Sequence, residues 1–171
     1  MAESKQPDGK DFRPRIVAFM CNWCSYTASD LAGTARIKYS PYVRIIRVMC
    51  SGRVDPSLVL KAFALGADGV MIAGCHPGDC HYIDQNYKTI RRVTMLRYFL
   101  ERMGIESNRL RLVWASAAEG QHLAESIDQF VADVRQMGQL DWSSNWAENG
   151  QRAEALEEIV HEHAEAMEVL A

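Results

Sequence analysis

The stretch VRIIRVMCSGRVDPSLVLKAFALGADGVMIAGC, residues 43–75, decides the fold. It opens and closes with short runs of β-branched and apolar residues, which are too short for helices and typical of buried strands. Between them, Asp55 and Pro56 are typical of a helix start, and Gly66 is typical of a helix end. The stretch therefore predicts a strand, a helix and a second strand. A connection of this length requires the two strands to be parallel.

The same alternation continues in both directions along the chain. Two further strand-like runs occupy residues 15–20 (RIVAFM) and 110–115 (LRLVWA), and the segments between the runs have helical periodicity. Parallel strands joined by right-handed helical crossovers form a sheet that is covered by helices. We therefore predict an α/β fold, a single flavodoxin-like or Rossmann-like domain over residues 12–140 with a four- to five-stranded parallel sheet.

The two ends of the chain differ from this domain in composition. Residues 1–11 are polar and predict a flexible N-terminus, whereas residues 141–171 predict a loop followed by a C-terminal amphipathic helix. Residues 148–171 hold seven acids against one arginine. An acidic tail beside a mildly positive body argues against nucleic acid as a partner.

The sequence predicts a cytoplasmic protein. No apolar run approaches the ~20 residues that a membrane span needs. The first fifteen residues lack the apolar stretch of a secretory signal. Because disulfides are rare in the cytoplasm, five cysteines in such a chain point to metal binding or redox chemistry.

All five cysteines follow strand-like runs. Cys21 and Cys24 follow the first run, Cys50 follows the second, and Cys75 and Cys80 follow the third. The carboxyl ends of parallel strands share one edge of a sheet, and open α/β folds place their binding sites there. We therefore expect the five thiols to gather at one site. Independent burial of each cysteine in the core is the simpler alternative, but it does not explain five of five at the same edge.

Three kinds of chemistry fit such a site. Four thiolates complete a structural zinc site, Cys21 and Cys24 alone form a possible dithiol oxidoreductase pair, and four thiolates hold an iron–sulfur cluster. Spacing does not separate zinc from iron. Small residues near the cysteines offer backbone N–H groups to cluster sulfur atoms, and this favours the cluster. These residues are Ser25, Ser51, Gly52, Gly74 and Gly78.

The simplest ligand assignment uses four of the five cysteines. It gives Cys21 and Cys24 to one iron and Cys75 and Cys80 to the other, with Cys50 as an alternative ligand. His76 and His81 flank the last two cysteines. Histidine also ligates iron in some clusters, but with enough thiols present we expect both histidines to form hydrogen bonds or surface contacts.

Motifs for other activities are missing from the sequence. There is no GxGxxG after the first strand and no GxxxxGK[ST], so neither a dinucleotide site nor a P-loop is supported. No Ser/His/Asp arrangement is evident either. The chain therefore has no predicted catalytic residues of its own.

Four segments together resemble one known family. They are CNWCSYTASDLAGTAR, RVMCSGRVDP, GADGVMIAGCHPGDCHYIDQNY and RLRLVWASAAEG. They closely resemble the delta subunit of methyl-viologen-reducing hydrogenase, a domain also found in complexes built around heterodisulfide reductase. The match covers roughly residues 13–138, and GCHPGDCHY is its most specific segment.

The resemblance implies a role in electron transfer without catalysis. It implies a [2Fe–2S] cluster on cysteines, all of which are present here as Cys21, Cys24, Cys50, Cys75 and Cys80. It also implies two partners. One is a hydrogenase or formate dehydrogenase subunit, and the other is the flavin-containing subunit of a heterodisulfide reductase-type, electron-bifurcating complex. The resemblance does not identify which four cysteines bind the cluster.

Overall fold

The structure is a computed structural model that describes residues 12–142. The predicted flexible N-terminus at residues 1–11 and the predicted C-terminal helix lie outside the described residues. Within them, strands and helices alternate along the chain and the strands form a parallel sheet, so the predicted α/β class is confirmed. No helix in this part of the chain is both long enough and apolar enough to cross a membrane.

Four strands and four α-helices make up the described domain. The strands are β1 Ile16–Cys21, β2 Val43–Val48, β3 Gly69–Gly74 and β4 Leu110–Trp114. The helices are α1 Ser25–Thr34, α2 Pro56–Ala64, α3 Gln85–Arg102 and α4 Gly120–Met137. Short 3₁₀ helices at Ser51–Arg53 and Ser107–Arg109 follow β2 and precede β4.

The strand order is β2-β1-β3-β4, with every pair parallel. At the carboxyl edge, Cys21 of β1 pairs with Val48 of β2, and Gly74 of β3 pairs with Trp114 of β4. The loops that follow these strands therefore leave the sheet at the same edge. β1 lies between β2 and β3, an arrangement that brings the sequence-distant cysteine loops together.

Helices cover both faces of the sheet. On one face, α4 buries a helical stripe against β1, β3 and α1, in which Leu123, Ile127 and Phe130 have almost no exposed surface. On the other face, Ile72 of β3 meets Val59 of α2 and Leu96 of α3. Each fully buried large apolar side chain contributes roughly 1.5–3 kcal/mol. Burial on both faces holds the strand ends in fixed positions.

A buried polar network closes the edge opposite the cysteines. The Arg109 side chain is 2% exposed. Its guanidinium donates to the carbonyl oxygens of Asp68, Met137 and Gly138 at 3.0, 3.2 and 2.9 Å. It also pairs with the Glu106 carboxylate at 2.6 Å. These contacts tie the starts of β3 and β4 to the end of α4.

Helix α3 begins later than its sequence pattern indicates. Periodicity predicts a helix from Tyr82 with Ile83 facing inward, but the helix begins at Gln85 and Ile83 is 85% exposed. Cys80 and Ile83 form an isolated antiparallel bridge, and the Ile83 N–H donates to the Cys80 carbonyl at 2.9 Å. Ile83 adopts a left-handed φ of 70°, which is incompatible with a right-handed helix at that position.

Candidate metal centre

The five cysteines lie at or after the ends of three strands, at the carboxyl edge of the sheet. Cys21 is the last residue of β1, and Cys24 immediately precedes α1. Cys50 immediately precedes the 3₁₀ helix after β2, and Cys75 directly follows β3. Cys80 lies in the loop between β3 and α3. The first four are buried, whereas Cys80 is partly exposed.

The thiols of Cys21, Cys24 and Cys75 form a compact group. Their three sulfur atoms all lie within 4.8 Å of one another. The Sγ atoms of Cys21 and Cys75 are 3.9 Å apart. Three thiols at this separation are close enough to one another to ligate a single metal atom.

The other two thiols adjoin this group. Burial raises the pKa of the Cys50 thiol, and the neighbouring Cys21 and Cys80 thiols raise it further. Cys50 is therefore close enough to both Cys21 and Cys80 for their thiols to influence its pKa. In this structure Cys75 is grouped with Cys21 and Cys24, rather than with Cys80 as in the simplest sequence-based assignment.

The thiols differ in their pKa values. A hydrogen bond from the Cys24 thiol lowers the pKa of Cys21, and backbone N–H groups add to this effect. The same hydrogen bond, together with burial, raises the pKa of Cys24. Burial raises the pKa of Cys75, and burial raises the pKa of Cys50 to about 11. A metal must therefore displace protons from these thiols when it binds, so metal affinity depends on pH.

Backbone N–H groups lower the pKa values of three of these thiols through hydrogen bonding to sulfur. Those of Trp23 and Ser51 serve Cys21, that of Gly52 serves Cys50, and that of His81 serves Cys75. Such hydrogen bonds stabilise negative charge on sulfur and tune the reduction potential of iron–sulfur clusters. The expectation that small residues supply such donors is met at Ser51 and Gly52. The Ser25 hydroxyl instead donates to the Ala73 carbonyl at 2.8 Å.

Two glycines allow close packing beneath the site. A Cβ atom on Gly74 would lie 2.6 Å from the Ser51 hydroxyl, and one on Gly52 would lie 2.7 Å from the carbonyl of Gln85. Both contacts are too short for a side chain. The space on Gly74 admits Ser51, whose hydroxyl accepts a hydrogen bond from Thr89 of α3 at 3.0 Å. The loop that carries Cys50 is thereby fixed to α3.

Asn86 supports the site although the sequence pattern did not identify it. Its side chain is fully buried near the start of α3, and its amide donates to the carbonyls of Cys75 and His76 at 3.3 and 2.7 Å. A signal was present in the sequence. Asn86 occupies an inward position of the stripe that continues through Val93, Leu96 and Leu100, where a buried amide requires hydrogen-bond partners.

The side chains of His76 and His81 each contact another side chain. Nε2 of His76 lies 2.6 Å from the Glu119 carboxylate. That carboxylate also accepts from the Ser116 N–H, and these hydrogen bonds, the backbone one foremost, lower the pKa of Glu119 to about 2. The His81 ring stacks on Trp23 with centroids 3.8 Å apart. The expected hydrogen-bonding and surface roles of the histidines agree with these contacts.

The donor set fits an iron–sulfur cluster. Clustered thiolates select thiophilic metals such as zinc, copper(I) and iron in clusters. A cavity of about 230 Å³ adjoins the compact group and is lined by Cys24 and Cys75 together with His76, Asp79 and His81. A larger cleft of about 910 Å³ runs beside β2 and α2, and it is lined by none of the cysteines.

Comparison with known proteins agrees with this site. The sequence pattern of the family described as methyl-viologen-reducing hydrogenase, delta subunit, matches residues 16–138. The chain is 49% identical over 136 residues to the vhc iron-sulfur subunit of the F420-non-reducing hydrogenase of Methanococcus voltae, covering 80% of this chain and 94% of that protein. It is 47% identical over 129 residues to the iron-sulfur subunit of the F420-non-reducing hydrogenase of Archaeoglobus profundus, covering 75% of this chain and 94% of the relative.

A second kind of relative is much longer. One subunit of the ferredoxin/F(420)H(2)-dependent CoB-CoM heterodisulfide reductase of Methanosarcina acetivorans is 46% identical over 127 residues. The match covers 74% of this chain and only 16% of that protein. A similar domain thus forms a small part of that longer protein. Taken with the match over residues 16–138, these relatives show that the chain belongs to the methyl-viologen-reducing hydrogenase delta subunit family.

Proposed function

We propose that this chain is an electron-transfer subunit that carries one [2Fe–2S] cluster on the cysteines at the carboxyl edge of its sheet. The observation that carries the proposal is the compact group of Cys21, Cys24 and Cys75, with Cys50 and Cys80 beside it. Five adjoining thiols are enough to supply the four ligands of such a cluster. The names of the hydrogenase iron-sulfur subunits among the relatives support the same assignment.

The ligands that we propose are Cys21, Cys24, Cys75 and Cys80, with Cys50 as the alternative. Cys21 is the central member, because its sulfur lies in the compact group and also influences Cys50. Cys80 is the most exposed of the five, which makes it the ligand closest to solvent. When bound, the cluster would supply one-electron chemistry to the site.

The protein's own residues have three tasks in this function. The sheet and helices hold the ligands at fixed positions, and the backbone N–H groups of Trp23, Ser51 and Gly52 stabilise negative charge on sulfur. Burial of four thiols excludes water from most of the site. We assign no catalytic residue, because electron transfer requires positioning of the cluster rather than bond-making by the chain.

We further propose that the chain relays electrons between two partners in the cytoplasm. One is a hydrogenase or formate dehydrogenase subunit, and the other is the flavin-containing subunit of a heterodisulfide reductase-type, electron-bifurcating complex. Relatives named as subunits of hydrogenases and of heterodisulfide reductases support this placement. We assign this relay to the domain at residues 12–140.

A zinc-stabilised interaction module is the second candidate. It is favoured by the same compact group, because three thiols within 4.8 Å of one another also suit a single tetrahedral ion. A third candidate is dithiol chemistry at Cys21 and Cys24, which is supported by the lowered pKa of Cys21.

The visible absorption spectrum of the anaerobically purified chain separates these candidates. An iron–sulfur protein is coloured and bleaches when it is reduced, whereas zinc and dithiol forms are colourless. A colourless protein that contains zinc would refute the electron-transfer function. A colourless protein without metal, with two thiols that oxidise reversibly, would instead support dithiol chemistry.

A further inference from the structure

Strand β2 is the exposed edge of the sheet. Within residues 12–142, β2 pairs with β1 alone, so its other side is open. Three of its six residues, Arg44, Ile46 and Arg47, are exposed, whereas β4 at the opposite edge has no exposed residue. An open edge presents a row of N–H and C=O groups with which another strand can pair. Of the two edges of the sheet, β2 is therefore the better suited to binding another strand.

The hydrogen bonds to β1 identify which backbone groups of β2 face outwards. The Tyr42 carbonyl accepts from the Ile16 N–H at 3.1 Å, and the Val48 carbonyl accepts from the Asn22 N–H at 2.8 Å. In a strand, the N–H and C=O of one residue point to the same side, and those of the next residue point to the other. Even-numbered residues of β2 therefore bond to β1, and odd-numbered residues point to the open edge. The outward residues are Val43, Ile45 and Arg47.

The cleft of about 910 Å³ opens beside this edge, and we call it the β2 cleft. Alternate residues of β1 and β2, such as Val17, Ile46 and Val48, share the sheet face that lines it. Leu58 and Leu65 line it from the side of α2, and they are 41% and 76% exposed. Exposed apolar surface of this kind marks interaction sites.

Among the described residues, every charged residue that lines the β2 cleft is cationic. These residues are Arg13, Arg15, Arg44 and Lys61, and all four are exposed. Asp68 pairs with Arg15, with 3.8 Å between Oδ2 and Nε, but the Asp68 side chain is 1% exposed whereas that of Arg15 is 62% exposed. The surface that the cleft presents to a ligand is therefore apolar and positively charged, which favours a ligand that carries carboxylates.

These features together select an extended acidic peptide as the occupant. The open backbone of β2 is matched by another backbone, as in β-strand addition, and not by a small molecule. Side chains of an added strand alternate between the two faces of the sheet, so every second one would lie over the cleft. Carboxylates among them would meet the cations, and apolar side chains would meet Ile46 and Leu58.

Two other occupants fit the β2 cleft less well. Pairing of β2 with β2 of a second copy would bring two sets of these cations together, and like charges oppose such pairing. The acidic residues 148–171 include the predicted C-terminal helix. The backbone groups of a helix are bonded within the helix, so they do not pair with a strand edge. An extended segment of a partner protein has neither disadvantage.

We propose that β2 and the β2 cleft bind an extended acidic segment of a partner protein, which adds to the sheet beside β2. Its backbone pairs with Val43, Ile45 and Arg47, its carboxylates lie among the cations of the cleft, and its apolar side chains cover Ile46 and Leu58. The surface is separate from the five cysteines, none of which lines the cleft. The proposal therefore goes beyond the function proposed above and is tested separately from it.

Peptide selection tests the chemistry of the occupant. The probe is a phage-displayed library of random twelve-residue peptides, which is panned against the full chain purified anaerobically. We expect the enriched sequences to combine acidic with apolar residues, and a synthetic peptide of an enriched sequence to bind more weakly as salt rises. Enrichment of basic or uncharged sequences, or no enrichment, would overturn the proposal.

Hydrogen exchange measured by NMR tests where and how this peptide binds. In the full chain alone, the outward amides of Val43, Ile45 and Arg47 should exchange rapidly, and the bound peptide should slow their exchange roughly tenfold or more. A peptide that binds without protecting these amides would overturn strand addition. Slow exchange in the chain alone would mean that a second copy or the chain's own terminal residues already pair with the edge, and would also overturn the proposal.

Matched variants separate the backbone contribution from the charge contribution. Arg47→Pro removes an outward N–H, which an edge strand tolerates, and should bind the peptide roughly two- to tenfold more weakly than Arg47→Gln, which keeps the N–H. Arg44→Glu reverses a charge in the cleft and should weaken binding roughly tenfold. Arg91→Glu on α3 makes the same change in net charge and should bind as the wild type does. Equal binding within either pair, by variants whose NMR spectra show that they are folded, would overturn the proposal.

Discussion

The Sγ atoms of Cys21 and Cys75 lie 3.9 Å apart, although 54 positions separate the two residues in the sequence. The contact follows from the order of the strands. Cys21 ends β1, Cys75 follows β3, and the two strands are neighbours in register. Because β2 pairs with the other side of β1, the loop that carries Cys50 approaches Cys21 from the opposite direction. Cys21 is thus central to the site.

Single Cys→Ser substitutions should rank the ligands. We expect Cys21→Ser and Cys80→Ser to lose or strongly destabilise the cluster, because a serine hydroxyl is a poor substitute for a thiolate that ligates iron. Iron content per chain and visible absorbance measure the loss. Cys50→Ser is the matched control and should retain most of the iron. Full retention by Cys80→Ser, together with loss in Cys50→Ser, would exchange the roles of these two residues.

Replacement of Asn86 should weaken the loop that carries Cys75. Asn86→Leu removes the amide that donates to the Cys75 and His76 carbonyls, and we expect a loss of about 1–3 kcal/mol in the free energy of unfolding and faster cluster loss. Urea unfolding and the decay of visible absorbance measure the two effects. Asn108→Leu, at an exposed position, is the control and should change neither. Equal behaviour of the two variants would contradict the assigned role of Asn86.

Removal of the buried Arg109 guanidinium should destabilise the domain without changing the cysteines of the candidate metal centre. Arg109→Met leaves the carbonyls of Asp68, Met137 and Gly138 without their donor, so we expect a loss of about 3 kcal/mol in unfolding free energy. Arg44→Met serves as the control, since Arg44 is exposed, and should stay within about 0.5 kcal/mol of the wild type. If the chain tolerates both substitutions equally, the network around Arg109 does not stabilise the fold.

Glu119 should make stability depend on pH in the acid range. Hydrogen bonds from the Ser116 N–H and from His76 lower its pKa to about 2, below the value of about 4.3 in an unfolded chain. A carboxyl group whose pKa is lower in the folded chain stabilises the fold at pH values above its pKa in the unfolded chain. This stabilisation is lost as the pH falls towards the pKa in the folded chain. The stability gap between the metal-free wild type and Glu119→Gln should therefore shrink as the pH falls from about 4.3 to about 2. Urea midpoints across this range measure the gap, and a gap that widens on acidification would contradict the assignment.

Local sequence signals predicted the four strands and the start of α2, but not the start of α3. Asp55 and Pro56 predicted the start of α2, where the Asp55 carboxylate caps the Ser57 N–H at 2.9 Å. β-branched runs predicted all four strands to within one residue at each end. The predicted start of α3 was wrong, because the bridge between Cys80 and Ile83 holds the chain out of the helix until Asp84. Helical periodicity in the sequence gives no indication of such a bridge.

The members of the site were predictable, but their arrangement was not. The position of each cysteine after a strand predicted a common edge, since parallel strands present their carboxyl ends together. Which thiols meet depends on the strand order, which no local pattern specifies. The placement of β1 between β2 and β3 groups Cys21 with Cys75 and brings Cys50 beside them. The Asn86 and Glu119 contacts depend on the same tertiary arrangement.

The iron, sulfide and zinc content of the anaerobically purified chain tests the central claim most directly. If β1, β2 and β3 bring the thiols together around a bridged pair of irons, each chain should contain about two iron ions and two acid-labile sulfide ions, with little zinc. About one zinc per chain, with neither iron nor sulfide, would contradict the account.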